Sequence, residues 1–523
     1  MTDVASLRPL AAVLVSAIAI VGIIASYRRP NLREVWTILA AVAKFGIVAS
    51  MLPAVLSGTV YVTDMGTIVA GVRFALRADG LGILFALLAS GLWIITSLFS
   101  IGYMRGLAEH AQTRYFAAFA ASLSATMGVA FASNLVTLFV FYELLTVATY
   151  PLVTHDETNE ARAAGRKYLA YTFAGGVAVL AGAVVLQWVG GTTAFTPGGI
   201  EALAAADPVV ARGVFALLIA GFGVKAAIMP LHSWLPDAMV APTPVSGLLH
   251  AVAVVKSGVF GIARVTLDVY GPGLMADLGV GIWLAAAAAF TLLVASLIAL
   301  RKDNLKRRLA YSTISQLSYI VLGLGVGAPA ALVGGLLHIP AHAFMKLTLF
   351  FCAGAIHVET HTDDISAMAG IGKRMPVTMA AFAVASAGMA GIPLLAGFVS
   401  KWYLLIGSVA AGGELFAIAL LVSGLLNIGY FWPVVYTAFF ETPEEHDTKP
   451  VIEGPFGGRQ SARADGGEEH PAAGWARRSW RGDETTWFML GPILAAMVGA
   501  VALGIIPYQA WFLRLVEFIV GGL

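Results

Sequence analysis

The segment HIPAHAFMKLTLFF, residues 338–351, places His338, His342 and Lys346 at i, i+4 and i+8 inside an apolar run. On a helix that spacing sets all three on one face. A charged side chain at the centre of a bilayer costs roughly 3 kcal/mol on insertion scales, so three in register imply a use. Groups of the same kind recur along the chain: Glu143 in FYELLT, Lys225 in GFGVKAA, His250 and Lys256 in LLHAVAVVKSGVF, and Lys401 in GFVSKW. Histidine titrates near neutrality, and a lysine in a low-dielectric cavity can load and release a proton there. A carboxylate, lysines and histidines linked by water are the parts of a proton path. A sugar or amino-acid pocket would instead want aromatic and amide lining.

Other polar groups have plainer readings. Lys44 is expected to snorkel from its span toward the interface. His232 and Asp237 flank the prolines of PLHSWLPD, where Asp237 is expected to cap a broken helix end. Tyr and Trp near span ends read as interfacial belts.

The elements that must hold these groups follow from composition. Of 523 residues, 59% are hydrophobic and 12% charged, with a mean hydropathy of +0.84, whereas soluble domains carry about a quarter charged residues. The chain reads as an all-α polytopic membrane protein, since about 20 apolar residues cross the hydrocarbon layer and such stretches are nearly continuous here. A net charge of +2 argues against nucleic-acid binding. The single cysteine, Cys352, forms no intrachain disulfide. No cofactor and no metal site is expected. The first run, PLAAVLVSAIAIVGIIAS, reads as a retained span, a cleaved signal being the alternative.

Fourteen spans are predicted, near 9–27, 34–56, 79–104, 115–132, 135–153, 168–190, 211–240, 243–267, 278–300, 308–327, 330–355, 376–410, 414–440 and 487–508. Simple alternation puts the basic loops YRRPNLR, RGLAEHAQTR, ARAAGRK, RKDNLKRR and GKR on one side. That side is expected to be the cytoplasm, with both termini outside. The polar stretch 441–486 then reads as a flexible cytoplasmic loop, and 487–523 as a last span and an interfacial tail. Pro230, Pro236, Pro242 and Pro244 interrupt the seventh span, and Gly391, Pro393 and Gly397 the twelfth. A matched pair of breaks is a pointer to an inverted repeat and an ion site. The expected division is three spans in 1–104, then five-helix repeats in 115–270 and 275–440, resting on the positions of the breaks rather than on residue identity.

GFGVKAAIMPLHSWLPDAMVAPTPVSGLLHAVAVVKSGVFG, HIPAHAFMKLTLFFCAG and AGIPLLAGFVSKW resemble the antiporter-like family shared by Mrp-type cation/proton antiporters and the proton-pumping membrane subunits of respiratory complex I. The resemblance implies fourteen helices, two inverted five-helix repeats and broken seventh and twelfth helices. It implies proton-transfer roles for Glu143 on the fifth helix, Lys225 on the seventh, His250 and Lys256 on the eighth, His338, His342 and Lys346 on the eleventh, and Lys401 on the twelfth. One complex I subunit type has glutamate in place of Lys401. With no long lateral helix or large extra domain, the chain is most similar to the D-type subunit of Mrp complexes. The resemblance implies a proton-translocating subunit of a plasma-membrane Na+/H+ antiporter, assembled with other membrane subunits, and no enzyme chemistry of its own. The alternatives are a pumping subunit of a complex I-like or hydrogenase complex, a membrane subunit coupled to bicarbonate uptake, and a structural scaffold. The loop at 441–485 lies outside the family pattern.

A reporter inserted at position 460 is expected to be accessible from the cytoplasm; external accessibility there would overturn the assigned orientation.

Overall fold

The computed structural model describes residues 2–69, 71–442, 484–506 and 511–523. The polar loop and its reporter position lie outside the described residues.

Helices α1 (Arg8–Ala25) and α2 (Pro30–Ala49) each carry a proline in the first turn, where a missing N–H leaves no hydrogen bond unmade. Asp79 caps α3 (Gly80–Gly106), its carboxylate accepting from the Gly82 amide at 2.8 Å. Two five-helix sets follow. The first holds α4 (Gln112–Phe131), α5 (Leu135–Val153), α6 (Asn159–Gly190), α7 (Pro208–Lys225) and the interrupted α8 (Thr243–Val269). The second holds α9 (Val280–Leu300), α10 (Leu305–Val326), α11 (Pro329–Thr360), the pair α12 (Pro376–Ala390) and α13 (Ala396–Ala410), and α14 (Glu414–Phe440). Helix α15 (Trp487–Ile505) and the short α16 (Phe512–Gly521) complete the bundle, with α16 lying against α3 and α11.

Twelve helical segments among the described residues are long and apolar enough to cross a membrane. The two remaining predicted spans are occupied by α4 and by the α12–α13 pair. Both breaks are where the prolines and glycines place them. Helix α7 ends at Lys225, and the chain passes through two single-turn pieces, Trp234–Asp237 and Ala238–Val240, before α8. Helix α12 stops at Gly391, whose φ of 94° is one that a side chain would resist, and α13 begins at Ala396 beyond Pro393.

The two sets share several features. Helices α6 and α11 have 32 residues each, and α8 and α14 span 27 each. The second helix of each set is capped by an asparagine, Asn134 accepting from the Thr137 amide and Asn304 from the Arg307 amide. Each asparagine also forms an isolated antiparallel bridge to the loop after its third helix, Asn134 with Ala194 and Asn304 with Asp364. Asn134 does so at one end of the bundle and Asn304 at the other. The five basic loops gather at the Asn304 end: Arg105 donates to Asn31 at 2.6 Å, Arg33 to Gln112 at 2.7 Å and Arg114 to the His155 carbonyl at 3.0 Å, while Arg307 lies 3.7 Å from Glu160.

The opposite end adds one small sheet to the helical bundle. Strands β1 (Thr2–Ala5), β2 (Thr59–Val69) and β3 (Val72–Ala78) form one sheet, β1 parallel and β2 antiparallel to their neighbours β2 and β3. The β-branched alternation of TVYVTD is a strand signal, overlooked between two strongly apolar runs. Beneath the sheet, Arg264 is 1% exposed and donates to both Asp79 oxygens, at 2.7 and 2.8 Å, and to Asp268 at 2.7 Å. This ties α3 to α8. Asp79→Ala removes the cap and leaves the buried Arg264 guanidinium with Asp268 alone, so it should cost about 3 kcal/mol. Thermal unfolding in detergent measures this; an unchanged midpoint would show the tie to be dispensable.

Candidate proton path

The path begins at α5. Both carboxylate oxygens of Glu143 are buried without a hydrogen-bond partner. Gly176 of α6 faces them, and a Cβ there would collide with the carboxylate, reaching Cδ at 2.7 Å. Lys225, in the last turn of α7, is fully buried. Its Nζ donates to the Tyr142 carbonyl at 2.5 Å and lies 3.4 Å from the centroid of the Tyr142 ring. The lysine is thus held by the residue beside Glu143, and the two charges interact through space without a hydrogen bond. A helix C-terminus favours a cation at this place.

Helix α8 contributes two groups. His250 lies in a π-helical turn, Leu248–Val252, with both ring nitrogens buried and unpartnered and its ring 4.9 Å from Phe350. Such bulges occur frequently at functional sites. One turn on, Lys256 donates to the Ile339 carbonyl at 3.1 Å and lies 3.0 Å from His342 Nδ1. While Lys256 is an ammonium it can donate only to an imidazole nitrogen without a proton, which then puts the His342 proton on the unpartnered Nε2. Gly258 lets α8 pass against the break, where a Cβ would stand 2.7 Å from the Lys225 carbonyl carbon.

On α11, His338 and His342 have ring centroids 6.1 Å apart, stacked. His338 Nε2 lies 2.9 Å from Gln316 Oε1, and Nδ1 lies 2.8 Å from Ser400 Oγ. Gln316 orients its amide by donating to Asn427 at 3.1 Å. Its Oε1 can then only accept, so Nε2 of His338 carries a proton. The other face of the pair is aromatic: Tyr319 stacks on His338 at 5.3 Å, and the Lys401 ammonium lies 4.7 Å from the Tyr319 centroid. Lys401 donates to the Met389 carbonyl at 2.6 Å, at the end of the first half of the broken helix. Lys256, His342, His338, Tyr319 and Lys401 are therefore in successive contact, from the last helix of the first set across the second.

Lys346 departs from the simple line that i, i+4, i+8 spacing suggests. It turns to α10, donating to the Leu309 carbonyl at 3.2 Å and to the Ser312 hydroxyl, 5.6 Å from the centroid of Phe431. Among the described residues no hydrogen bond joins it to His342, nor Lys225 to Lys256.

Two expectations are corrected. Lys44 does not snorkel: it is fully buried, donating to Ser16 at 2.7 Å and the Leu123 carbonyl at 2.9 Å, because α1 and α4 close over it. Asp237 caps no helix; it pairs with Lys167 at 2.6 Å. The uncharged Gln316, Tyr319, Ser400 and Asn427 carried no signal in an apolar sequence, yet they orient the histidines. A further pair was also missed: His357, near the basic-loop end of α11, meets Asp363 at 3.0 Å, with 25% and 33% of their side chains exposed. Burial alone would raise the Asp363 carboxyl, but His357 outweighs it and holds the group below its ordinary range.

Residues 132–427 match the family described as NADH:quinone oxidoreductase/Mrp antiporter, transmembrane. The chain is 34% identical over 414 residues to NADH-quinone oxidoreductase subunit N of Desulforudis audaxviator, covering 78% of this chain and 77% of that one. It is 33% identical over 419 residues to the A-type Na(+)/H(+) antiporter subunit of Alkalihalophilus pseudofirmus, covering 74% of this chain but only 51% of the relative. In fold it is similar to a chain of the Mrp complex from Dietzia sp. DQ12-45-1b, with a TM-score of 0.83 at 21% identity over 99% of this chain and 97% of that one. Membrane helices, broken spans and sequence agree: the chain is a multi-pass membrane protein belonging to the NADH:quinone oxidoreductase/Mrp antiporter family of membrane subunits.

Proposed function

We propose that this chain is the proton-translocating subunit of a multi-subunit monovalent cation/proton antiporter, with sodium as the exchanged ion. The observation that carries the reading is the contact series from Lys256 through His342, His338 and Tyr319 to Lys401, fed by a lysine beside an unpartnered Glu143. The mechanism is electrostatic. While the Glu143 carboxylate is near, it stabilises the Lys225 ammonium; when a neighbouring subunit draws that negative charge away, the proton passes through water toward Lys256 and onward. His250 and Lys346 hold protons beside this line. Sodium needs oxygen ligands, and among the described residues no group of three or more carboxylates lies within the spans, so the cation route is assigned to a partner subunit. The two matched helix sets are the inverted repeats of such a transporter, with the basic-loop end in the cytoplasm.

The relative matched over 77% of its length is a NADH-quinone oxidoreductase subunit, which supports a second reading as a pumping subunit of a redox complex. Co-purifying subunits distinguish the two: cation-antiporter subunits for the first, redox subunits for the second. Lysine at position 401 supports the D-type subunit of the antiporter complexes.

Glu143→Ala and Lys225→Ala should each abolish cation-dependent proton flux in vesicles while the complex still assembles; full activity in either would remove the input pair. Lys346→Met keeps the volume and removes the charge, so flux per assembled complex should be lost. Normal specific activity would exclude Lys346 from the path. Gly176→Ala retains every titratable side chain but displaces Glu143, and should slow flux at least tenfold, about 1.4 kcal/mol. Wild-type flux in that variant would show the carboxylate position to be unimportant.

A further inference from the structure

Away from the buried line, at the basic-loop end, the loop between α3 and α4 meets the loop between α5 and α6. Glu109 and His110 come from the first and His155 from the second. Glu109 Oε2 lies 3.7 Å from His110 Nδ1 and 3.8 Å from His155 Nε2, and one ligand atom from each of the three falls within 4.8 Å of the others. The imidazole centroids are 4.8 Å apart. These separations are too long for hydrogen bonds. They are close to the spacing of about 3.3 Å between ligands that sit about 2.0–2.1 Å from a tetrahedral ion.

His155 supplies the independent observation. Its side chain is fully buried, yet neither ring nitrogen has a hydrogen-bond partner of normal geometry, the contact with the His110 backbone being marginal. A buried imidazole with two unmade bonds costs free energy unless something else satisfies it. Its position is fixed from behind: Arg114 donates to the His155 carbonyl at 3.0 Å and pairs with the Glu157 carboxylate, and Tyr115 meets the ring edge-on at 5.7 Å. The other two ligands have room to adjust, Glu109 being 21% and His110 50% exposed. Ala108, Ala111 and Glu157 all adopt φ between 47° and 56°, so both loops hold strained turns around the three side chains.

We propose that Glu109, His110 and His155 form a binding site for a divalent transition-metal ion of the zinc class, with water in the fourth position. Two imidazoles and a carboxylate are a borderline donor set that suits Zn2+ over Mg2+ or Ca2+, which prefer all-oxygen shells. The ion would clasp the start of α4 to the end of α5, the helix that carries Glu143.

The test uses the full-length chain, isolated without a polyhistidine tag together with its co-purifying subunits and stripped with chelator. Co2+ should bind to saturation at one equivalent with the visible absorption of a tetrahedral site, and Zn2+ should displace it. Glu109→Gln and His110→Asn, both at partly exposed positions that tolerate change, should each weaken Zn2+ binding at least tenfold; His155→Asn should abolish it, while Glu160→Gln, at an exposed carboxylate outside the cluster, should leave it unaltered. Absence of saturable binding, or unchanged affinity in Glu109→Gln and His110→Asn, would overturn the site even if His155→Asn does not fold.

Discussion

An ammonium buried among apolar helices must find acceptors, and in this molecule it finds main-chain carbonyls. Lys44 uses Leu123, Lys225 Tyr142, Lys256 Ile339, Lys346 Leu309 and Lys401 Met389. A carbonyl oxygen has two lone pairs, so one already bonded within a helix can still accept from a lysine. It also accepts from a neutral amine, in a weaker bond than from an ammonium but at the same place. The lysine therefore stays in place whichever protonation state it holds, which a carboxylate partner would not allow. Paired with a carboxylate, each lysine would be a fixed structural charge of the Arg264–Asp79–Asp268 kind.

That arrangement depends on backbone geometry more than on side chains. The break after Lys225 sets the lysine at a helix end, and the break at Gly391 brings the Met389 carbonyl within reach of Lys401 from the following half-helix. Gly176 and Gly258 act by having no side chain, one making room for the Glu143 carboxylate and the other letting α8 pass the end of α7. The irregular turns within α8 are enclosed by protein, its window being fully buried, whereas the break beyond Gly391 is open, with Ile392 39% and Leu394 68% exposed.

The molecule handles charge differently at its two ends. At the sheet end one guanidinium and two carboxylates form a closed network that locks α3 to α8. At the basic-loop end ion pairs are spread over several loops, and some polar groups are left incomplete, His155 among them. The first arrangement pairs its charges directly, leaving only the Arg264 Nε without a partner. The second leaves room for a partner, an ion or a moving proton.

The sequence by itself determined the helical spans, both breaks and every charged member of the buried line, because the bilayer makes an apolar run unmistakable and a charge within it expensive. It also located the prolines that break α7 and the Gly391–Pro393 pair that parts α12 from α13. It could not decide which groups touch. His342 meets Lys256 across 86 positions and His338 meets Ser400 across 62, while Lys346, in perfect helical register with both, turns to another helix. Nor could it find the small sheet, whose strand pattern sits between stronger apolar signals, or the neutral Gln316, Tyr319 and Asn427. Those depend on packing, because helical spacing fixes the face a side chain leaves from and only the neighbouring helices fix what it reaches.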